Sequence, residues 1–110
     1  MRRAAKVDAN QDQVVSALRA AGATVQSLAA IGNGVPDLLV SFRDGMYLLE
    51  VKDGSKPPSA RALTEDQVRW HAAWGCPVHV VKSPEEALRA IGATSQGEFD
   101  PWYAAQAQGF

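Results

Sequence analysis

The sequence predicts an α/β domain in which a mixed sheet is flanked by helices, with elements in the order α-β-β-β-α-β-α. Three observations predict it. Residues 8 to 21 repeat apolar side chains at helical spacing; residues 34 to 52 hold two apolar runs joined at Asp44-Gly45; residues 64 to 91 read helix, strand, helix, with capping signals at both helix starts. A chain of 110 residues has room for one core and little more, so it is expected to fold as a unit.

In the first helix Val14, Val15, Leu18 and Ala21 share a face, and Gly22 supplies the stop. "ATVQSLAAIG", "DLLVSF" and "MYLLEVK" read as three consecutive strands, the last two forming a hairpin. "DGSKPPSARA", residues 53 to 62, is rich in Gly, Pro and Ser and reads as an irregular loop. Thr64 and Gln67 make a capping box for a second helix carrying Val68, Trp70, His71 and Trp74, which Gly75 and Pro77 end. "PVHVV" is a short fourth strand. Ser83, Pro84 and Glu86 supply a cap, a first-turn proline and a reciprocal acceptor for a third helix reaching about Ile91.

Residues 1–91 are expected to form the domain and residues 92–110 a tail. Phe99, Trp102, Tyr103 and Phe110 make that tail too aromatic for plain disorder, so it reads as an arm against its own domain or a second copy.

Lys plus Arg is 11 and Asp plus Glu 12, for a net charge of −1, which excludes a uniform basic field as the means of binding a polyanion. Basic residues gather locally, at Arg2, Arg3 and Lys6 and again at Lys52, Lys56 and Arg61. Cys76 is the single cysteine, has no partner for a disulfide or a zinc motif, and reads as a small buried hydrophobe in a reducing compartment. No apolar run approaches the roughly 18 residues of a membrane span, so a soluble, cytoplasmic protein is expected. His71 and His79 read as packed or satisfied rings, and Trp70 with Trp74 as core or subunit interface. No Ser/His/Asp order, phosphate-binding loop or dinucleotide fingerprint is visible.

The chemistry-bearing residues interrupt the strands. Glu50 and Lys52, two apart, leave the same strand face, while Leu49 and Val51 point the other way. Asp37 begins the preceding strand, and an antiparallel hairpin sets the start of one strand beside the end of the other, bringing all three groups to one edge. Two close carboxylates resist ionisation unless a positive charge lies between them. Mg²⁺ fits, since it is held by one or two carboxylates plus substrate phosphate and water, and Mn²⁺ suits the same ligands. Such an ion polarises a phosphate and lowers the pKa of a bound water, and Lys52 beside it would orient that water or stabilise charge on the phosphate. A plainer account fits the same spacing: Asp37 as a turn residue after Pro36, with Glu50 and Lys52 a solvent-facing pair on an edge strand.

"GVPDLLV", then "EVK" thirteen residues after Asp37, then "LTEDQVRWH" resemble the signature of the PD-(D/E)xK nuclease superfamily, most nearly its VRR-NUC and Holliday-junction-resolvase-like branch. Gly34, Pro36, Asp37, Glu50, Lys52, Leu63, Thr64, Gln67 and Trp70 carry the match over roughly residues 8 to 91. The resemblance implies a restriction-endonuclease-like α-β-β-β-α-β core and a Mg²⁺- or Mn²⁺-dependent endodeoxyribonuclease. It implies Asp37, Glu50 and the carbonyl of Val51 as metal ligands, Lys52 as the catalytic lysine and Gln67 as completing the site. The cluster after the second motif, Lys56, Arg61 and Thr64, is expected to contact nucleic acid. Branched, flap or four-way junction DNA is the implied substrate and a homodimer or higher homo-oligomer the implied state. Small stand-alone proteins of this kind resemble phage products, acting in a bacterial or phage-infected cell.

One position departs from the pattern. The family often carries a glutamate on the first helix, where this chain has Gln11 between Asp8 and Asp12. Either aspartate shares a helical face with Gln11 and could stand in as an accessory ligand. "DANQ" is equally a capping box with Asp8 as the cap. The rival expectation is therefore a nucleic-acid-binding module that keeps the fold without the chemistry. A further rival is an assembly or adaptor protein that makes its contacts through the aromatic tail.

Overall fold

The computed structural model describes residues 9–93. Asp8, the cluster at Arg2, Arg3 and Lys6, and the tail aromatics Phe99, Trp102, Tyr103 and Phe110 lie outside the described residues. The elements are α1 (Ala9–Ala20), β1 (Thr24–Ser27), β2 (Leu38–Phe42), β3 (Gly45–Val51), α2 (Pro58–Arg61), α3 (Glu65–Ala73), β4 (Val78–Val81) and α4 (Pro84–Ala90).

Four strands form one sheet in the order β1-β2-β3-β4, antiparallel across the first three and parallel between β3 and β4. A parallel neighbour cannot follow a tight turn, so the chain between β3 and β4 crosses over through α2 and α3. This is the mixed α/β architecture the sequence predicts. No helix among the described residues is long and apolar enough to cross a membrane.

Helices α1 and α4 pack on each other and against the sheet. Val14 and Leu18 from α1, Leu38, Val40 and Leu49 from the central strands, and Ala87 from α4 are all 0% exposed. Each large side chain among them contributes about 1.5–3 kcal/mol by leaving water. Gly22, at φ 99°, ends α1 with a left-handed residue, and the Ala23 N–H reaches back to the Leu18 carbonyl at 3.0 Å. Because Leu38 and Leu49 face the helices, strand alternation turns Asp37 and Glu50 to the opposite face.

Several local expectations are corrected. The first strand stops at Ser27 rather than running to Gly32: Leu28 donates to the Asp37 carbonyl at 2.7 Å, and the Ile31 N–H then folds back to the Leu28 carbonyl at 3.0 Å. The stretch from 53 to 62 is not wholly irregular. Pro57 is extended, Pro58 has the φ a first helical turn needs, and the short α2 follows. In the β2–β3 hairpin the positive φ angles fall on Arg43 and Asp44, at 50° and 69°, one residue earlier than the Asp44-Gly45 signal placed them. Cys76 is exposed rather than buried, since it sits in the α3–β4 connection between Gly75 and Pro77. Ser83 caps α4 by accepting from the Glu86 N–H, but the Glu86 carboxylate takes the Lys82 N–H at 2.8 Å instead of returning to Ser83.

Candidate active site

The register Leu38↔Leu49, extended by one residue, sets Asp37 opposite Glu50 on the face away from α1 and α4. Asp37 is the residue before β2 and Lys52 the residue after β3. Both strands are interior to the sheet, so the three groups meet at the ends of central strands and not on an edge strand. That removes the reading of Glu50 and Lys52 as a solvent-facing edge pair, and Glu50 is only 2% exposed.

Asp37 Oδ2 accepts the backbone N–H of Val51 at 2.8 Å. Val51 therefore enters the site through its amide as the anchor of Asp37. Lys52 Nζ donates to Gln67 Oε1 at 2.9 Å and stands 3.9 Å from Glu50 Oε2. Gln67 Nε2 donates to the same Glu50 oxygen at 3.0 Å. Gln67 is also the third residue of the α3 capping box, its Oε1 taking the Thr64 N–H at 2.9 Å while its own N–H reaches Thr64 Oγ1 at 3.2 Å. One amide thus starts the helix and joins the lysine to the glutamate.

Gly34 makes that approach possible. A Cβ there would lie 2.3 Å from the Asp66 carbonyl oxygen, and its φ is +86°. The loop before Asp37 therefore rests directly on the first turn of α3, holding Gln67 against Glu50 and Lys52.

Burial pushes the Glu50 carboxyl up to about 8, reinforced by the charge of Asp37 and by a hydrogen bond shared with it, while Lys52 pulls the other way. Two carboxylates in contact need a shared proton or a cation between them. Glu50 Oε2 accepts from Gln67, but Oε1 is buried without a donor, and the bond to Asp37 exists only while one of the two carboxyls holds a proton. A hard dication fits this donor set: two oxygen ligands, one orphaned and buried, that repel each other when empty of counter-charge. Among the described residues no three His, Cys, Asp or Glu side chains gather as a metal cage. The pair is the number Mg²⁺ takes when substrate and water complete its shell.

The other expected residues lie around this centre. Gln11 is buried at the start of α1 and Asp12 beside it is exposed. Both line a depression of about 320 Å³ with Ser27 and Leu38, the neighbour of Asp37. Lys56 is exposed, Arg61 donates from Nε to the Lys56 carbonyl at 2.8 Å, and Thr64 is exposed at the cap of α3. Arg61 and Lys56 are thereby held together on the segment that leads from Lys52 to Gln67.

One residue near the site escaped the sequence reading, and a second was read only in part. Asn10 donates from Nδ2 to the carbonyl of Lys52 at 2.7 Å, a tertiary contact that no local pattern announces. His71, one turn beyond Gln67 and expected as a packed or satisfied ring, has its Nε2 buried without a hydrogen-bond partner, so of the two it is the packed ring, edge-on to Trp70. Burial, then the nearby Lys52 charge, pushes its pKa down. On the same face, Trp70 and Trp74 stack at 4.4 Å and line an apolar cavity of about 710 Å³ with Leu39, Leu48 and Met46. Trp74 is 50% exposed, so it is not core.

No protein-family model matches the sequence. No curated protein matches it either. Among solved structures the chain is similar to one described as a VRR_NUC domain, with a TM-score of 0.55 and 31% sequence identity, covering 74% of this chain and 88% of that one. Identity of that order over nearly the whole of the other domain, on a sheet that brings the PD and ExK segments to one place, makes the chain a member of the VRR-NUC family within the PD-(D/E)xK nuclease branch.

Proposed function

We propose that the protein is a Mg²⁺- or Mn²⁺-dependent endonuclease that hydrolyses phosphodiester bonds in DNA. The observation that carries this reading is the buried, unpartnered Glu50 Oε1 beside the Asp37 carboxylate, with the Lys52 ammonium 3.9 Å from the other Glu50 oxygen. Asp37, Glu50 and the Val51 carbonyl would hold the dication. When bound, it would supply positive charge to the carboxylate pair and polarise the scissile phosphate.

The protein's own groups do the rest. The Val51 N–H aims Asp37, and Gln67 fixes both the Glu50 carboxylate and the Lys52 ammonium. Lys52 then offers a positive charge where negative charge grows on the phosphate oxygens during attack. On this reading Lys56, Arg61 and Thr64, along the connection to α3, would take flanking phosphates, with the α3 N-terminus contributing backbone N–H groups. On the same reading a homodimer or higher homo-oligomer would act on branched, flap or four-way DNA, since a two-fold pair addresses two strands.

The test is incubation with duplex, single-stranded, flap and four-way DNA, each with Mg²⁺, Mn²⁺ or chelator. Metal-dependent cleavage of at least one substrate, lost on Asp37→Ala, is expected. Salt-sensitive binding without cleavage of any form would leave a nucleic-acid-binding module in its place.

A further inference from the structure

Asn10 lies in the first turn of α1, and its Nδ2 donates to the Lys52 carbonyl at 2.7 Å and to the Lys82 carbonyl at 3.3 Å. Both carbonyls belong to the residue just past a strand, Lys52 after β3 and Lys82 after β4. The last rung between the strands is the Lys52 N–H on the Val81 carbonyl, at 2.9 Å. Beyond it the Asn10 amide takes over from the ladder and clips both strand exits to α1. Its orientation is settled by chemistry, since two carbonyls can be met only by the NH₂ end of the amide. Glu86 holds Lys82 from the other side through its N–H at 2.8 Å.

The backbone of Lys52 is thereby fixed at both polar groups, its N–H by Val81 and its carbonyl by Asn10. Lysine has a four-carbon stem with large rotamer freedom, and its ammonium stays 2.9 Å from Gln67 Oε1 only if the stem starts from a fixed point. We propose that Asn10 is a positioning residue for Lys52, acting on the ammonium through the backbone it holds. This rests on the nuclease reading for its consequence in catalysis, but the tie itself is readable without turnover.

Asn10→Asp keeps the shape and removes the donors, setting a carboxylate against two carbonyl oxygens, while Asn10→Ala removes both shape and donors. The full chain and both variants are compared in two ways. The first is kcat and KM on the DNA panel with Mg²⁺. The second is acylation of Lys52 in metal-free protein by an N-hydroxysuccinimide acetate, read by peptide mass, with exposed Lys56 as internal reference. Both variants are expected to lose about 10–100-fold in kcat with KM unchanged, the loss typical of removing a group that orients a catalytic side chain. Lys52 acylation should rise several-fold against Lys56.

Wild-type behaviour of Asn10→Asp in both measurements would overturn the proposal, because shape alone would then suffice. Loss of kcat without any change at Lys52, or failure of both variants to fold, would also overturn it and leave Asn10 a tie for the fold. Absence of cleavage by the wild-type protein would remove the nuclease reading instead, while the acylation contrast still decides whether Asn10 holds Lys52.

Discussion

The backbone N–H of Val51 points at Asp37 Oδ2 over 2.8 Å, tying the start of β2 to the end of β3 through a side chain rather than a ladder rung. Asp37 is thus aimed by the same strand that carries Glu50, and the spacing of the two carboxylates is set by the sheet. Asp37→Asn keeps the side-chain size, and its amide oxygen still accepts from Val51, so folding should survive. Its charge is gone, and cleavage should fall by about 10²–10³-fold, the scale of losing one electrostatic contributor at a reacting phosphate. Single-turnover cleavage with circular dichroism checks this, and cleavage at the wild-type rate would remove Asp37 from the site.

Glu50→Gln should separate activity from stability in opposite directions. Glu50 is 2% exposed, raised toward about 8 by burial and by Asp37, with Oε1 unpartnered. A glutamine removes the charge conflict, and its NH₂ group can donate to Asp37. Without metal the variant should therefore be more stable than the parent by about 1–3 kcal/mol, the cost of an unsatisfied buried polar group, while cleavage is lost. Denaturant melts in chelator decide it; a less stable variant would mean that the carboxylate is not strained in the native state.

The same conflict fixes a pH dependence. The folded carboxyl titrates near 8 against 4.5 when free, so between those values the folded state holds a proton that the unfolded state has released. Stability contributed by that proton is complete below about 4.5 and is lost as pH rises through about 8. The expected slope is about −1.4 kcal/mol per pH unit inside the window for the metal-free protein. Mg²⁺ should recover stability at the alkaline end, where the ion meets an ionised pair. Thermal melts across the range, with chelator or Mg²⁺, read both; a flat profile in chelator would contradict the buried carboxyl.

Much of this centre is legible in the sequence because hairpins are rigid rulers. A short turn at Asp44 fixes the register of β2 on β3, and the register sets Asp37 opposite Glu50. The α3 capping box is legible too, since Thr64 and Gln67 act on neighbouring backbone. What needed three dimensions was burial and long reach. The spacing of Glu50 and Lys52 suits a surface pair as well as a buried one, and only the central place of β3 in the sheet distinguishes them. Asn10 meets Lys52 across 42 positions, beyond any local pattern. The exposure of Cys76 is set by the turn that follows α3, where residue type alone points inward.

Gly34 and Gly22 make a matched pair for testing the close approach of the loop to α3. Both have positive φ, but a Cβ at Gly22 meets nothing within 4 Å, whereas one at Gly34 falls 2.3 Å from the Asp66 carbonyl oxygen. Alanine at Gly22 should cost about 1–2 kcal/mol through backbone conformation alone and leave the site untouched. Alanine at Gly34 bears the same strain and must also push the first turn of α3, with Gln67, away from Glu50 and Lys52. It should lose more stability and at least about tenfold in kcat, as small misplacements of reacting groups do. Equal behaviour of the two variants in melts and kinetics would show that the contact at Gly34 does not position α3.

Thr64 and Gln67 share a capping box but differ in what lies on their far side, which makes them separable. Thr64→Ala removes one helix cap and should cost about 1 kcal/mol, with Gln67 still bonded to Lys52 and Glu50. Gln67→Ala removes the reciprocal cap and also frees the Lys52 ammonium and Glu50 Oε2, leaving a second buried carboxylate oxygen without a donor. Its stability loss should be similar or larger, but its loss in kcat should exceed that of Thr64→Ala by about 10–100-fold, since the group removed orients both neighbours. Gln67→Glu sharpens the contrast: the carboxylate still accepts from Lys52, but it sets a third negative charge against Glu50 in place of a donor. In metal-free protein it should destabilise more than alanine at high pH and less at low pH, as protonation relieves the repulsion. Melts of the three variants at both ends of the pH range, beside their cleavage rates, test the assignment; matching kcat values for Thr64→Ala and Gln67→Ala would reduce Gln67 to a helix cap.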